Sequence, residues 1–301
     1  MELRRKTAES SIILLGAESQ AATSFAIAYP ECRFVFVTDK PIVDGWDLAN
    51  VEFRRASVEE ADEEASIISS TAEPSMMALC PRWIKRPCPL QQTLPTLEQA
   101  LPGLVVPVTR HFVQAETGST PANRSKPVFV VKGDLWHRPD APMIGTEAEL
   151  TMLDDPYGCG LVFQPRQAAE ATLLVVGRRW RNDSVALGVF RLHAERFFRS
   201  DVIQAAETVD RPDLVEASLS GLAALEHVGL FTFVWLETPT GLALVSFRPV
   251  PRAVCLALRH AGVSLLRAPS GTCVASQGVR SLSAVHYASY QKLSKQRSKP
   301  Q

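Results

Sequence analysis

Lys132 ends the apolar run Pro127-Val128-Phe129-Val130-Val131, and Gln164 ends a second one, Leu161-Val162-Phe163. A lysine closing a β-branched and aromatic run is tethered to a rigid strand and faces a cleft, which suits a phosphate contact. The same residue also fits a solvated strand end whose stem covers apolar surface. Gly133 and Arg166 adjoin the pair and complete the candidate binding positions.

The segments around this pair must hold it in place. Beyond Gln164, the stretch ATLLVVGRRWRNDSVALGVFRLH reads as an antiparallel hairpin turning at Asn182 and Asp183. Residues 210–229 carry apolar side chains at Leu214, Val215, Leu219, Leu222, Ala223 and Leu225, a helical spacing that Gly229 closes. LFTFVWLETPTGLALVSF then gives two strands around a Pro-Thr-Gly turn.

The first hundred residues read as a different kind of unit. SIILLG is a buried strand, AESQAATSFAIAY a helix with an Ala and Phe face, and CRFVFVTD a strand ending at Asp39. Gly16 stands alone where a dinucleotide site needs three glycines, so that function class is excluded. SVEEADEEASIIS reads as an acidic, solvated helix. PRWIKRPCP and LPTLEQALPG are punctuated by proline and suggest turns joining two halves. ETGSTPANRS has the small polar residues of a flexible connection or a lid. The expected division is an α/β open-sheet domain over 1–102, an α+β region with antiparallel sheets over 103–285, and a basic, solvated tail over 286–301.

Composition excludes several classes. The chain has 32 Lys and Arg against 32 Asp and Glu, which gives no electrostatic drive toward nucleic acid or an anionic membrane. The cluster Arg178, Arg179, Arg181 around Trp180 beside a turn reads as surface, or as a rim facing an anionic substrate. Its 6 cysteines form no CxxC pair and its 6 histidines no HExxH, so neither a zinc site nor a disulfide framework is expected. There is no GxSxG elbow, no phosphate loop ending in Lys-Ser or Lys-Thr, and no apolar stretch of the length needed to span a bilayer. A cytoplasmic location is the expectation.

Strand, loop, strand, hairpin, helix and hairpin over residues 104–252 resembles the second half of an ATP-grasp domain. The N-terminal strand–helix–strand order resembles the unit that precedes such domains. The resemblance implies that Lys132 touches ATP phosphates and that the backbone near Gln164 takes the adenine edge, with Gly133 and Arg166 alongside. It implies an enzyme that activates a small-molecule carboxylate as an acyl phosphate and passes it to an amine or related nucleophile. Arg178, Arg191 and Arg248 would then stabilise the acyl phosphate or the carboxylate, because their planar forks match such oxygens.

The chain departs from that family where magnesium is held. The resemblance implies one acid on the strand after the helix, and a second acid with an Asn on the following strand. Val234, Ser246 and Arg248 stand at those positions. Magnesium demands hard oxygen ligands, which a valine or an arginine cannot supply. Either the registration differs, so that Glu237 is the surviving metal ligand with help from Asp154 or Asp155, or Arg248 supplies fixed positive charge in place of the ion. Two functions therefore stand open: an ATP-dependent carboxylate–amine ligase, and a degenerate relative acting as a binding or scaffold subunit with a protein partner or as a homo-oligomer.

Overall fold

The computed structural model describes residues 12–15, 26–32, 34–37, 49–54, 66–69, 89–108, 128–133, 143–146, 161–197, 200–248 and 254–282. Contacts divide the chain into two units, one of Met1–Arg86 with Arg252–Leu256 and Ser283–Gln301, the other of Pro87–Pro251 with Ala257–Leu282.

In the first unit, four short apolar runs make a parallel sheet. They are β1 (Ile12–Leu15), β2 (Phe34–Val37), β3 (Val51–Arg54) and β4 (Ser66–Ser69), in the order β3-β2-β1-β4. Uninterrupted apolar β1 and β2 suit the centre of a parallel sheet, where both faces are covered. Residues 26–28 are helical, and Asn50 Nδ2 donates to the carbonyls of Ala26 (2.9 Å) and Tyr29 (3.2 Å) at the end of that turn. The expected acidic helix is corrected at its end. SIIS is a strand, because Ile67 and Ile68 pair with Ile13 and Leu14. Residues 57–65 lie outside the described residues.

The second unit is built on antiparallel strands. Its first helix, α1 (Leu90–Ala100), runs straight through the segment expected to be a turn, with Pro95 inside it. An interior proline costs about 3 kcal/mol by removing one ladder bond and crowding the preceding turn. Leu90, Leu94, Leu97 and Leu101 are all buried on one stripe of the helix, and each buried leucine contributes about 2 kcal/mol, so burial outweighs the proline.

A small sheet follows, of β5 (Val128–Gly133), β6 (Met143–Thr146) and β7 (Leu161–Pro165), in the order β6-β5-β7 and antiparallel throughout. Met143–Thr146 pairs antiparallel with the first half of β5. The main sheet contains β8 (Ala171–Arg179), β9 (Val185–Phe197), β10 (Ser200–Thr208), β11 (Gly229–Thr238), β12 (Gly241–Arg248), β13 (Thr272–Val274) and β14 (Arg280–Leu282). Its order is β12-β11-β8-β9-β10-β14, with β13 parallel to the start of β9.

Both expected hairpins are present. At the β8–β9 turn Asp183 sits at φ 60°, a left-handed position that aspartate tolerates. At the β11–β12 turn Thr238 pairs with Gly241, which has φ 128°. The second helix, α2 (Pro212–Ala224), ends earlier than Gly229. Glu226 takes φ 47°, and the amides of Glu226 and His227 bond back to Ala223 and Leu222, the double bond of a left-handed helix cap. A short α3 (Cys255–His260) precedes β13.

One apolar core joins α1 and α2 to the main sheet. Leu94 and Leu97 from α1 and Leu214 and Leu222 from α2 cluster with Leu173, Val175, Val189, Phe231, Phe233, Trp235 and Phe247. Val162 of β7 belongs to the same cluster, which seats the small sheet against it.

Candidate functional site

Side chains alternate across a strand, and β8, β9 and β11 run in unbroken register with one another. Their odd-numbered residues therefore share the face that α1 and α2 cover, as the core membership of Leu173, Val175, Val189, Phe231, Phe233 and Trp235 requires. Their even-numbered residues share the other face. There Val234 pairs with Ser246 and Thr232 with Arg248, and a bulge at Val245 of β12 sits between Ser246 and the Trp235–Leu244 pair. Bulges re-aim side chains and are common beside sites. The positions that the family resemblance assigns to metal ligands are thus paired neighbours on one sheet face, together with Arg178 of β8.

This second face is buried as well. Arg178, Ser246 and Arg248 are 8%, 5% and 6% exposed and Thr232 is fully enclosed. A buried guanidinium needs polar company to offset its lost hydration. Arg178 Nη1 donates to the carbonyl of Leu265 at 2.8 Å, and its guanidinium lies 4.9 Å from the centroid of the Trp180 ring. Leu258 and Ala275 approach the same face at Gly188, where a Cβ would meet them at 2.9 and 3.0 Å. Among the described residues on the even-numbered positions of β8, β9 to Leu192, and β11, none is acidic.

Lys132 and Gln164 lie on adjoining strands. Lys132 pairs with Val162, and Gln164 with Val130. Gln164 is buried, and its Nε2 donates to the carbonyl of Val106 at 2.7 Å. Val106 in turn donates its amide to Leu244 of β12, so this side chain ties the small sheet to the edge of the main one. Its amide is a structural tie; the backbone near it is what the adenine expectation concerns. Gly133 closes β5 opposite Leu161, and Arg166 is exposed just past β7.

Arg191 and Glu237 are not brought to Arg178 and Arg248. They sit at odd positions, on the helix-covered face, and Arg191 Nη2 donates to Glu237 at 3.0 Å. The expected trio of arginines is therefore split, and Glu237 is on the wrong face to join Val234 and Ser246. Arg211, just before α2, was not singled out from the sequence, yet its Nη1 donates to the other oxygen of Glu237. Arg211 also grips Asp213 through Nε (3.0 Å) and Nη2 (2.8 Å). That hydrogen-bonded fork holds the Asp213 carboxyl below its ordinary value and keeps Arg211 charged. The signal was local: Arg-Pro-Asp at a helix start places cation and acid two residues apart. His193 and Glu207 make a further contact at 3.0 Å nearby on the sheet.

No family model and no curated protein matches the sequence. Solved structures do match its shape. The chain is similar to N5-carboxyaminoimidazole synthetase from Staphylococcus aureus complexed with ADP, with a TM-score of 0.56 and 13% identity over 81% of this chain and 71% of that one. A biotin carboxylase–β,γ-ATP complex from Campylobacter jejuni aligns with a TM-score of 0.57 and 14% identity, over 85% and 69%. L-amino acid ligase from Bacillus licheniformis aligns with a TM-score of 0.51 and 12% identity, over 81% and 67%. All are ATP-grasp proteins. This chain has the ATP-grasp fold. Within it, the Val234–Ser246 and Thr232–Arg248 pairs of β11 and β12 lie on the sheet face opposite the two helices. Among the described residues, no helix is long and apolar enough to cross a membrane.

Proposed function

We propose that this ATP-grasp chain binds ATP and acts as a binding subunit, with arginine charge where metal ligands are expected. The observation that carries the proposal is the pairing of Val234 with Ser246 and of Thr232 with Arg248, on the face that also holds Arg178. Valine has no donor, a serine hydroxyl is a weak neutral ligand, and a guanidinium repels a divalent cation, so these residues do not fit magnesium. They do fit a phosphate, whose oxygens match the planar fork of arginine. Lys132 and Gly133 would adjoin the phosphates, and the backbone from Gln164 to Arg166 the adenine.

A second reading is an ATP-dependent ligase that joins a small carboxylate to an amine. It is favoured by the β5–β7 pair, which keeps the strand arrangement of the fold with Lys132 near the end of β5. A protein partner or a second copy of the chain belongs to the first reading, free small substrates to the second.

Calorimetric titration of the full chain with ATP tests the proposal. ATP binds, and Arg248→Ala weakens it by about tenfold, roughly 1.4 kcal/mol. Absence of ATP binding to a folded chain sinks both readings. ADP release that depends on an added carboxylate and amine would replace the first by the second.

A further inference from the structure

We propose that the chain associates head to tail with a second copy of itself, the basic layer on one side of its main sheet docking on the acidic helix layer of the next copy. Its charges are equal in number but separated along the sequence. Residues 238–301 hold 9 Lys and Arg and no Asp or Glu, so residues 1–237 hold all 32 acids against the remaining 23 bases. A neutral chain lacks the net self-repulsion that keeps copies apart, and separated charges give each copy two complementary surfaces. The proposal concerns the partner and not the nucleotide, so it stands whether or not ATP binds.

The fold puts the two signs on opposite sides of the sheet. On the odd-numbered face lie α1 and α2, and neither helix contains a lysine, an arginine or a histidine. Asp210, Asp213 and Glu216 are exposed at the start of α2 and along it, and Glu98 is half-buried on α1. Arg211, the cation beside them, is committed to Asp213 and Glu237. On the even-numbered face, Leu258 of α3 lies against Gly188, and the carbonyl of Leu265 receives Arg178. This segment carries His260 and Arg267 at the surface, and residues 257–282 contain no acid. Arg181 is exposed on the β8–β9 turn, to which the segment is tied on one side by Leu265 and on the other by the Gly271 carbonyl that Val185 reaches. Opposite sides of one sheet cannot meet within a copy, but they can meet between two. The contact is then heterologous, with a different surface used on each copy. A single exposed pair contributes little, so the contact needs the whole set of charges and is removed by screening.

Sedimentation velocity of the full chain over a concentration series tests this at about 0.1 M and about 1 M salt, between which the screening length falls from about 10 Å to about 3 Å. The expected result is self-association at the lower salt that weakens by about tenfold or more at the higher. Arg267→Glu and Glu216→Lys should each weaken it at the lower salt by about threefold or more, and circular dichroism checks that both variants are folded. An equal mixture of the two should recover association and stop at pairs, because the first keeps its acidic layer and the second its basic one. A chain that stays monomeric at the lower salt overturns the proposal. So does association that ignores salt, that survives either substitution, or that mixing fails to recover.

Discussion

The two faces of the main sheet both bury side chains and use them differently. The helix-covered face is apolar at its centre, with Leu173, Phe231, Phe233 and Trp235 against α1 and α2, and carries charges toward its ends, with Arg191, Glu237 and Arg211 at one and Arg179, bonded to the Leu222 carbonyl, at the other. The opposite face carries its charges inside, with Arg178 and Arg248 buried beside Thr232 and Ser246. Charge at a rim is hydrated and contributes little to stability, so it can be lost cheaply. Charge inside a face is maintained against a desolvation penalty of several kcal/mol and needs polar partners, such as the Leu265 carbonyl that Arg178 reaches.

The sharpest way to break this contrast is to probe how rigid each face is. Gly177 lies on the helix-covered face, where a Cβ would fall 2.2 Å from the carbonyl oxygen of Ala186 and 2.8 Å from Phe231 Cζ. A backbone atom cannot move aside, so Gly177→Ala should lose about 3 kcal/mol, or leave no folded protein. Gly188 lies on the other face, and its Cβ would meet Leu258 Cδ2 and Phe190 Cε2 at 2.9 Å and Ala275 Cβ at 3.0 Å, side-chain atoms rather than backbone. Gly188→Ala should lose about 1 kcal/mol. Urea midpoints of the two variants measure this. An equal or larger loss at Gly188 would mean that the charged face is packed as tightly as the core, with no room to accommodate a ligand.

A smaller effect separates rim from site. Glu237 holds two arginines, so Glu237→Gln should lose about 1 kcal/mol of stability, the order expected for a partly exposed ion pair. Because Glu237 faces α2, ATP affinity should stay the same with and without magnesium. A fall of more than about tenfold in that affinity would place Glu237 in the nucleotide site as a candidate metal ligand.

Much of the fold was written in local pattern. Asn182-Asp183 and Pro239-Thr240-Gly241 announce their turns, and the apolar spacing from Leu214 onward announces α2. Other elements depend on partners far along the chain. Leu90, Leu94 and Leu97 make a helix across Pro95 only because the sheet is there to receive them. SIIS is a strand because β1 offers it an edge. The same holds for the site. That Gln164 reaches the carbonyl of Val106, 58 residues away, follows from no motif. The separation of Glu237 from Val234 was legible, since three positions along a strand reverse the face. The separation of Arg191 from Arg178 required the register of β8 and β9.

The smallest expected effect lies at the outer end of the rim, where Arg211 grips Asp213. The fork lowers the carboxyl's pKa in the folded chain, chiefly through its hydrogen bonds. A depressed folded value means that the stabilisation is fully present above the ordinary carboxylate range and is lost as pH falls through the folded value. Asp213 is half-exposed, so its contribution is screened and should be less than about 0.5 kcal/mol near neutral pH, and less again in high salt. Asp213→Asn should therefore unfold slightly earlier than the parent in urea at neutral pH and low salt, with the difference closing as the acid side is approached. Arg211 also holds Glu237, so a double variant with Glu237→Gln should show a loss different from the sum of the two single losses, because both act through one guanidinium. Strict additivity would dissolve the rim into separate surface pairs. The contrast between the faces would then rest on Arg178 and Arg248 alone.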